Sequence, residues 1–390
     1  MPQLNGVTRI LHQFRVRAGV KACFPLRQSV PTFAIVVFLL LLSTSVRAWS
    51  QGEKDSEAFL PSPVRSVSTV PANGDVNPYG VAYVPKDFEP ATATPLKVGD
   101  ILVSNFNNSS NLQGTGTTIM RIPRKGKVST FFQGQKGIGL STALNVLKSG
   151  YVLVGNFPST DGTCATTNAG SILVISPSGQ LMQSLTSKIG INGPWDSTVF
   201  DQKSDVKLFI ANGLSGTVSR IDLTVGANGP TIESATQIGS GYTHQCDPVT
   251  FVDAPTGLVY STEDDRLYVA STADNKVYAI RDAAETKQDQ GTGVVVYQDN
   301  RHLHGPLGMA MAPNGHLLVS NNDVINPDPA QTSEIVEFTK EGSFVKELSV
   351  DPSPGGSFGL GLMSVSRDET SFAAVDDNTS TLLIYTIPED

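Results

Sequence analysis

Short apolar runs bounded by Gly, Asn, Asp and Pro alternate with polar turns along most of the chain. No long stretch spaces its apolar residues at helical intervals, so the pattern predicts an all-β protein. The clearest unit is His304–Ser320. A strand of small and apolar residues, Gly308–Ala312, meets a Pro-Asn-Gly turn, and a second strand, His316–Ser320, ends on Asn321. Asn and Gly tolerate the positive φ of a tight turn, so Asn-Gly between apolar runs predicts a β-hairpin.

The same unit recurs. Taking Gly308 as the anchor, the equivalent residues are Gly80, Ala143, Asp196, Gly257 and Gly361, at spacings of 63, 53, 61, 51 and 53. Pro stands two residues earlier in four copies, as Pro78, Pro194, Pro255 and Pro306. Each copy continues into a second strand that closes on a short polar residue: Asn105, Asn156, Asn212, Ser271, Asn321 and Asp376. A third strand follows in all six, and a fourth in the first five: Val128–Phe132, Leu181–Leu185, Ala235–Ile238, Val294–Tyr297 and Phe344–Leu348. A fixed period of several tens of residues is the mark of a repeat architecture.

The sixth copy ends after its third strand. Val64–Val70, which alternates like a strand and precedes the first copy, is expected to supply the missing one. A ring that takes one blade from both termini leaves no free edge. The expected fold is therefore a six-bladed β-propeller over 64–390, with its last blade closed by an N-terminal strand. A seven-bladed ring with one poorly aligned copy is the competing arrangement.

The order Pro-x-Gly-apolar-small, a turn such as Pro-Asn-Gly, then Leu-Leu-Val-Ser-Asn resembles the NHL repeat. It is also similar to the broader propeller group that includes the gluconolactonase-like hydrolases. The resemblance covers roughly Val64–Pro388 and implies architecture more than activity. The gluconolactonase-like pattern places a metal-binding Asn directly before one anchor. The matching positions here are Tyr79, Thr142, Trp195, Thr256, Leu307 and Leu360. None is Asn, which argues against a lactonase of that type.

The N-terminus changes the setting. Five basic residues and no acid within 1–29 precede Phe33–Leu42, ten residues without a polar side chain, and then Val46-Arg47-Ala48. This is the order of a secretory signal, here 1–48, with cleavage expected after Ala48. The apolar run falls short of the ~20 residues a membrane span needs. A signal anchor retained in the membrane is the competing reading. Residues 49–63 read as a polar tether. Cleavage would leave 22 − 36 = −14 formal charges, which disfavours nucleic acid and anionic membranes. The expected location is secreted or periplasmic, with no stable membrane insertion after cleavage. Cys164 and Cys246, the two cysteines outside the signal, are then candidates for one disulfide. Asn107, Asn108 and Asn378 match the glycosylation acceptor pattern.

In a propeller the loops into the first strands share a face with the turns between second and third strands. That face collects Asn105, Asn156, Asn192, Trp195, Asn212, Asn321 and Asp376 as candidate ligand-binding residues at a channel mouth. A ring of such oxygens could hold Ca²⁺, or the side chains could simply satisfy turn backbone. His244, Asp247 and His304 fall on the same face and form a candidate metal set for a divalent ion, Zn²⁺ or Ca²⁺. Some NHL-like lyases are similar in using histidines from several blades around a metal. Polar loop histidines without a ligand are the plainer alternative. Phe106, Phe157, Trp195 and Tyr242 are candidates for apolar contact there.

Two functions stay open at this point. One is an exported scaffold that binds a protein, glycan or other small molecule at the channel mouth. The other is a metal-dependent lyase or hydrolase working at the same mouth.

Overall fold

The computed structural model describes residues 59–60, 65–186, 190–366 and 369–388. The expected signal segment lies outside the described residues, as does all of the expected tether except Phe59 and Leu60.

The chain starts its ring with β1 (Arg65–Ser68) and then builds six antiparallel four-stranded blades. Blade 1 holds β2 (Val76–Tyr83), β3 (Ile101–Asn107), β4 (Thr118–Ile122) and β5 (Ser129–Gln133). Blade 2 holds β6 (Leu140–Val146), β7 (Val152–Asn156), β8 (Ser171–Ile175) and β9 (Leu181–Leu185). Blade 3 holds β10 (Pro194–Asp201), β11 (Asp205–Asn212), β12 (Thr217–Gly226) and β13 (Gly229–Gly239). A small hairpin, β14 (Gln245–Asp247) with β15 (Phe251–Asp253), interrupts the series. Blade 4 holds β16 (Pro255–Ser261), β17 (Arg266–Ser271), β18 (Lys276–Arg281) and β19 (Val294–Tyr297). Blade 5 holds β20 (Pro306–Met311), β21 (Leu317–Asn321), β22 (Glu334–Phe338) and β23 (Phe344–Ser349). Blade 6 holds β24 (Ser357–Ser364), β25 (Glu369–Asp376) and β26 (Thr381–Pro388). The protein is a six-bladed β-propeller.

The expected closure is realised. β1 lies outermost in blade 6, antiparallel to β26, with Arg65 opposite Ile384 and Ser68 opposite Thr381. The hydrogen-bonded edge that the sixth copy would have left bare is thereby paired.

Apolar side chains fill the gaps between blades rather than one central core. Leu102, Ile119 and Phe132 of blade 1 meet Leu144, Val154 and Leu173 of blade 2, all buried. Comparable layers join blades 2 and 3 through Val174, Ile210 and Ile221, and blades 4 and 5 through Val277, Val319 and Phe338. At ~25 cal/mol per Å² of apolar surface, these layers supply the main drive for ring closure.

The anchors are small because the inner strands crowd one another at the axis. A Cβ on Gly257 or Gly308 would fall less than 3 Å from the carbonyl oxygen of Leu307 or Phe358 in the following blade. Gly359 stands in the same relation to Tyr79 of blade 1, and its neighbour Leu360 pairs with Ala374 as Met309 pairs with Val319. The sixth anchor is therefore Gly359, not Gly361. The residue before it is Phe358, not Leu360.

Candidate functional site

The residues just before the anchors decide which end of the channel is open. Tyr79, Trp195, Leu307 and Phe358 come from blades 1, 3, 5 and 6 and belong to one buried cluster with Phe106, Phe157 and Phe251. Tyr79 stacks between Phe106 and Phe358, with ring centroids at 4.5 and 4.3 Å. It also meets Trp195 edge-on at 5.8 Å. Phe251, at the start of β15, stacks on Trp195 at 6.0 Å. Aromatic pairs of this kind add about 0.5–1.5 kcal/mol each beyond burial. Together they plug the channel at the loop face, where the chain enters the inner strands. Of the four aromatics expected to make contacts on this face, Phe106, Phe157 and Trp195 are in the plug. Tyr242 packs elsewhere, against Tyr278 at 5.5 Å.

Beneath the plug runs a cavity of about 610 Å³. Its lining follows the inner strands from the anchors, Gly80, Gly308 and Gly359, to Lys86, Met311 and Ser364 near the inner-hairpin turns. The channel is thus a blind well that opens on the hairpin face, opposite the expected mouth. Its wall mixes apolar side chains, Leu144, Leu258, Met309, Leu360 and Met363 among them, with polar ones such as Thr142, Asn145, Ser197 and Thr198.

Asp196 is the one carboxylate among the lining residues and Lys86 the one cation. Asp196 occupies an anchor position. Instead of ending at a Cα, this site extends a side chain whose Oδ2 accepts from the backbone N–H of Leu258 in blade 4 at 3.0 Å. The Thr142 hydroxyl is a second partner. The carboxyl lies far from bulk solvent yet keeps some surface open to the channel. Burial pushes its pKa up to about 7, against the hydrogen bonds from Ser197, Leu258 and Thr142 that pull it down. One layer further out, Asn145 donates to the Ser197 hydroxyl at 2.7 Å. Asp196 was not among the expected site residues. Its signal was nonetheless in the sequence: a charged residue at a position held by Gly or Ala in the other copies.

The polar residues that end the second strands serve the backbone. Asn156 accepts from the Gly139 N–H at 3.0 Å, Asn212 from the Asn192 N–H at 2.9 Å, and Asn321 from the His304 N–H at 3.1 Å. Each clamps the loop leading into its own blade. The amide nitrogens point to the third strand or nearby backbone: Asn156 to Ser171, Asn212 to Ser219, Asn321 to the His302 carbonyl. Asn105 donates to Thr118 and to the Thr69 carbonyl, both at 3.1 Å. Asp376 accepts from the Thr379 hydroxyl and N–H within its turn. The structure therefore places these groups in equivalent positions around the ring, engaged in turn and loop hydrogen bonds.

The expected metal set does not assemble. Among the described residues no group of three or more His, Cys, Asp or Glu side chains is arranged to hold a metal ion. His244 Nδ1 faces the Tyr242 carbonyl at 3.2 Å. Asp247 accepts from the Val249 and Thr250 N–H groups at 2.7 and 2.9 Å, capping the β14–β15 turn. His304 is buried, with both ring nitrogens directed at carbonyls, those of Asn326 and Arg301. Those contacts and the nearby Glu334 charge raise its pKa, against the lowering effect of burial.

Cys164 and Cys246 are joined as a disulfide across 82 residues of sequence. It links the long loop after β7 to the β14–β15 hairpin and so braces the loop face directly over the plug.

No protein-family model and no curated protein sequence matches the chain. Solved structures resemble it at low identity. Virginiamycin B lyase from Staphylococcus aureus shares 14% identity with a TM-score of 0.47, covering 83% of this chain and 88% of its own. A luciferin-regenerating enzyme shares 12% with a TM-score of 0.49, covering 84% and 96%. Regucalcin from Agrobacterium tumefaciens, a calcium-binding protein, shares 12% with a TM-score of 0.47, covering 84% and 96%. The fold assignment rests on this chain's own strand pairing.

Proposed function

We propose that this protein is an exported binding propeller that takes an apolar small molecule, with an amine at its inner end, into the central well from the hairpin face. The observation that carries this reading is the half-buried Asp196, the one carboxyl among the described lining residues, set beside Leu144, Leu258 and Leu360 in a well closed above it by the aromatic plug. The volume lies within the ~300–1,000 Å³ typical of small-molecule sites. A ligand ammonium would compensate the cost of an ionised Asp196, which water cannot do well at that depth. Methionines at 309, 311 and 363 suit an adaptable apolar wall.

Export is the second part of the proposal. The basic, apolar and cleavage-site order of 1–48 and the bonded cysteine pair both support it. N-terminal sequencing of the protein recovered from outside the cytoplasm should begin at Trp49.

Calorimetric titration with phenethylamine and its uncharged analogue phenethyl alcohol tests the well. The amine should bind more tightly, and Asp196→Asn should abolish the difference. Equal affinities, or an amine preference that survives Asp196→Asn, would refute the assignment.

A further inference from the structure

The loop face carries a second cavity, of about 600 Å³, beside the plug and separate from the well. Its floor includes Tyr79 and Phe358, the stacked pair at 4.3 Å. One wall is a chain of neutral hydrogen-bonding groups. With the Asn77 carboxamide turned so that both its ends find partners, its nitrogen donates to the Asp377 carboxyl at 2.6 and 3.2 Å and its oxygen accepts from Asn107 Nδ2 at 2.9 Å. Asn107 Nδ2 also reaches Asn111 Oδ1 at 2.7 Å. Asn77 holds its carboxamide in place from a left-handed backbone, φ 60°, which Asn tolerates better than most residues. Serine hydroxyls at 109 and 380 continue the lining. At the rim stands Val249, 75% exposed, on the turn of the disulfide-braced hairpin.

We propose that this cavity is a binding site for a neutral, hydroxyl-rich ligand, a mono- or disaccharide. Among the described residues no Lys or Arg lines it, so it holds no cation to pair with a phosphate or sulfate. Asp377 is its one carboxyl. Burial, and then the neighbouring Asp376, push the Asp377 pKa up, while both of its oxygens accept from the Asn77 amide. Alternating carboxamide donors and acceptors match sugar hydroxyls, which both give and receive hydrogen bonds. The apolar floor and Val249 suit the C–H face of a sugar ring. The other titratable groups near Asp377 are Asp376 beside it, Tyr79 below it and Asp351, which Asn378 contacts across the turn.

The test is saturation-transfer NMR on the oxidised protein with a panel of neutral mono- and disaccharides. At least one sugar should bind at neutral pH. Asn77→Gly, which keeps the left-handed backbone, and Asn111→Gly, at an exposed loop position, should each weaken binding about tenfold, the scale of one hydrogen bond. Asp196→Asn should leave sugar binding unchanged, and phenethylamine binding should survive Asn77→Gly, so the two sites succeed or fail independently. The inference is overturned if no sugar in the panel binds, or if a bound sugar ignores both Asn variants.

Discussion

The Asp196 carboxylate of blade 3 accepts the backbone N–H of Leu258 in blade 4 at 3.0 Å. At the glycine anchors Gly257, Gly308 and Gly359 the following blade's backbone leaves no room for a side chain. Here the side chain itself becomes the link between blades. It also brings the well the one carboxyl among its described lining residues, which is why stability and ligand binding should both respond to this one group.

Stability should fall as pH rises from about 5 to 8. Asp196 and Glu334, each at about 7, and Asp377, at about 8, are all raised mainly by burial. A carboxyl whose pKa is higher in the folded state binds more protons folded than unfolded. Its stabilisation is therefore present at low pH and is lost as pH climbs from the ordinary value near 4 to the folded one. The raised His304 adds in the same direction. Asp299, lowered to about 2, acts oppositely but only below about pH 4. Unfolding free energies from urea titrations at pH 5.5 and 8.5 should differ by about 1–4 kcal/mol, and Asp196→Asn should shrink the difference. A higher midpoint at pH 8.5 would contradict this.

Asn212→Ala and Asn321→Ala should each cost about 1–3 kcal/mol, because each leaves a loop N–H without its acceptor. Chemical denaturation reads the loss directly. Were either variant as stable as the parent, the clamp would contribute nothing.

Gly308→Ala and Gly359→Ala should destabilise by roughly 1–3 kcal/mol or more, since the new methyl would meet the next blade's carbonyl. Gly226→Ala serves as the control, because a Cβ there meets nothing within 4 Å. Thermal melts of the three variants should separate them cleanly.

Replacing both cysteines by serine should lower stability by about 2–4 kcal/mol, the typical contribution of a disulfide. The loss should appear in the melting temperature of the oxidised protein and vanish when parent and variant are compared under reductant.

Trp195→Ala should cost about 3–5 kcal/mol, as for other large buried aromatics. Trp195→Phe should cost much less. The indole N–H has no acceptor among the described residues, so Phe gives up no hydrogen bond there. Equal losses in the two variants would show that the plug depends on the full indole volume.

The sequence by itself determined the repeat, the number of blades and the closing strand. These rest on local constraints: turns need Gly and Asn, strands need alternating burial, and crowded inner strands need small anchors. It also displayed Asp196 as the exception among those anchors, although that position alone does not reveal a well. For the sixth anchor Gly-Leu-Gly-Leu offers two glycines, and only the contact with Tyr79 selects Gly359. Which face opens was decided by tertiary structure. Tyr79, Trp195, Phe251 and Phe358 read as ordinary strand and loop aromatics along the chain. Ring closure brings them together at the axis, where burying their apolar surface seals one end. The Asn residues expected to line a mouth were drawn into loop hydrogen bonds for the complementary reason: a buried N–H must find an acceptor, and theirs was the nearest.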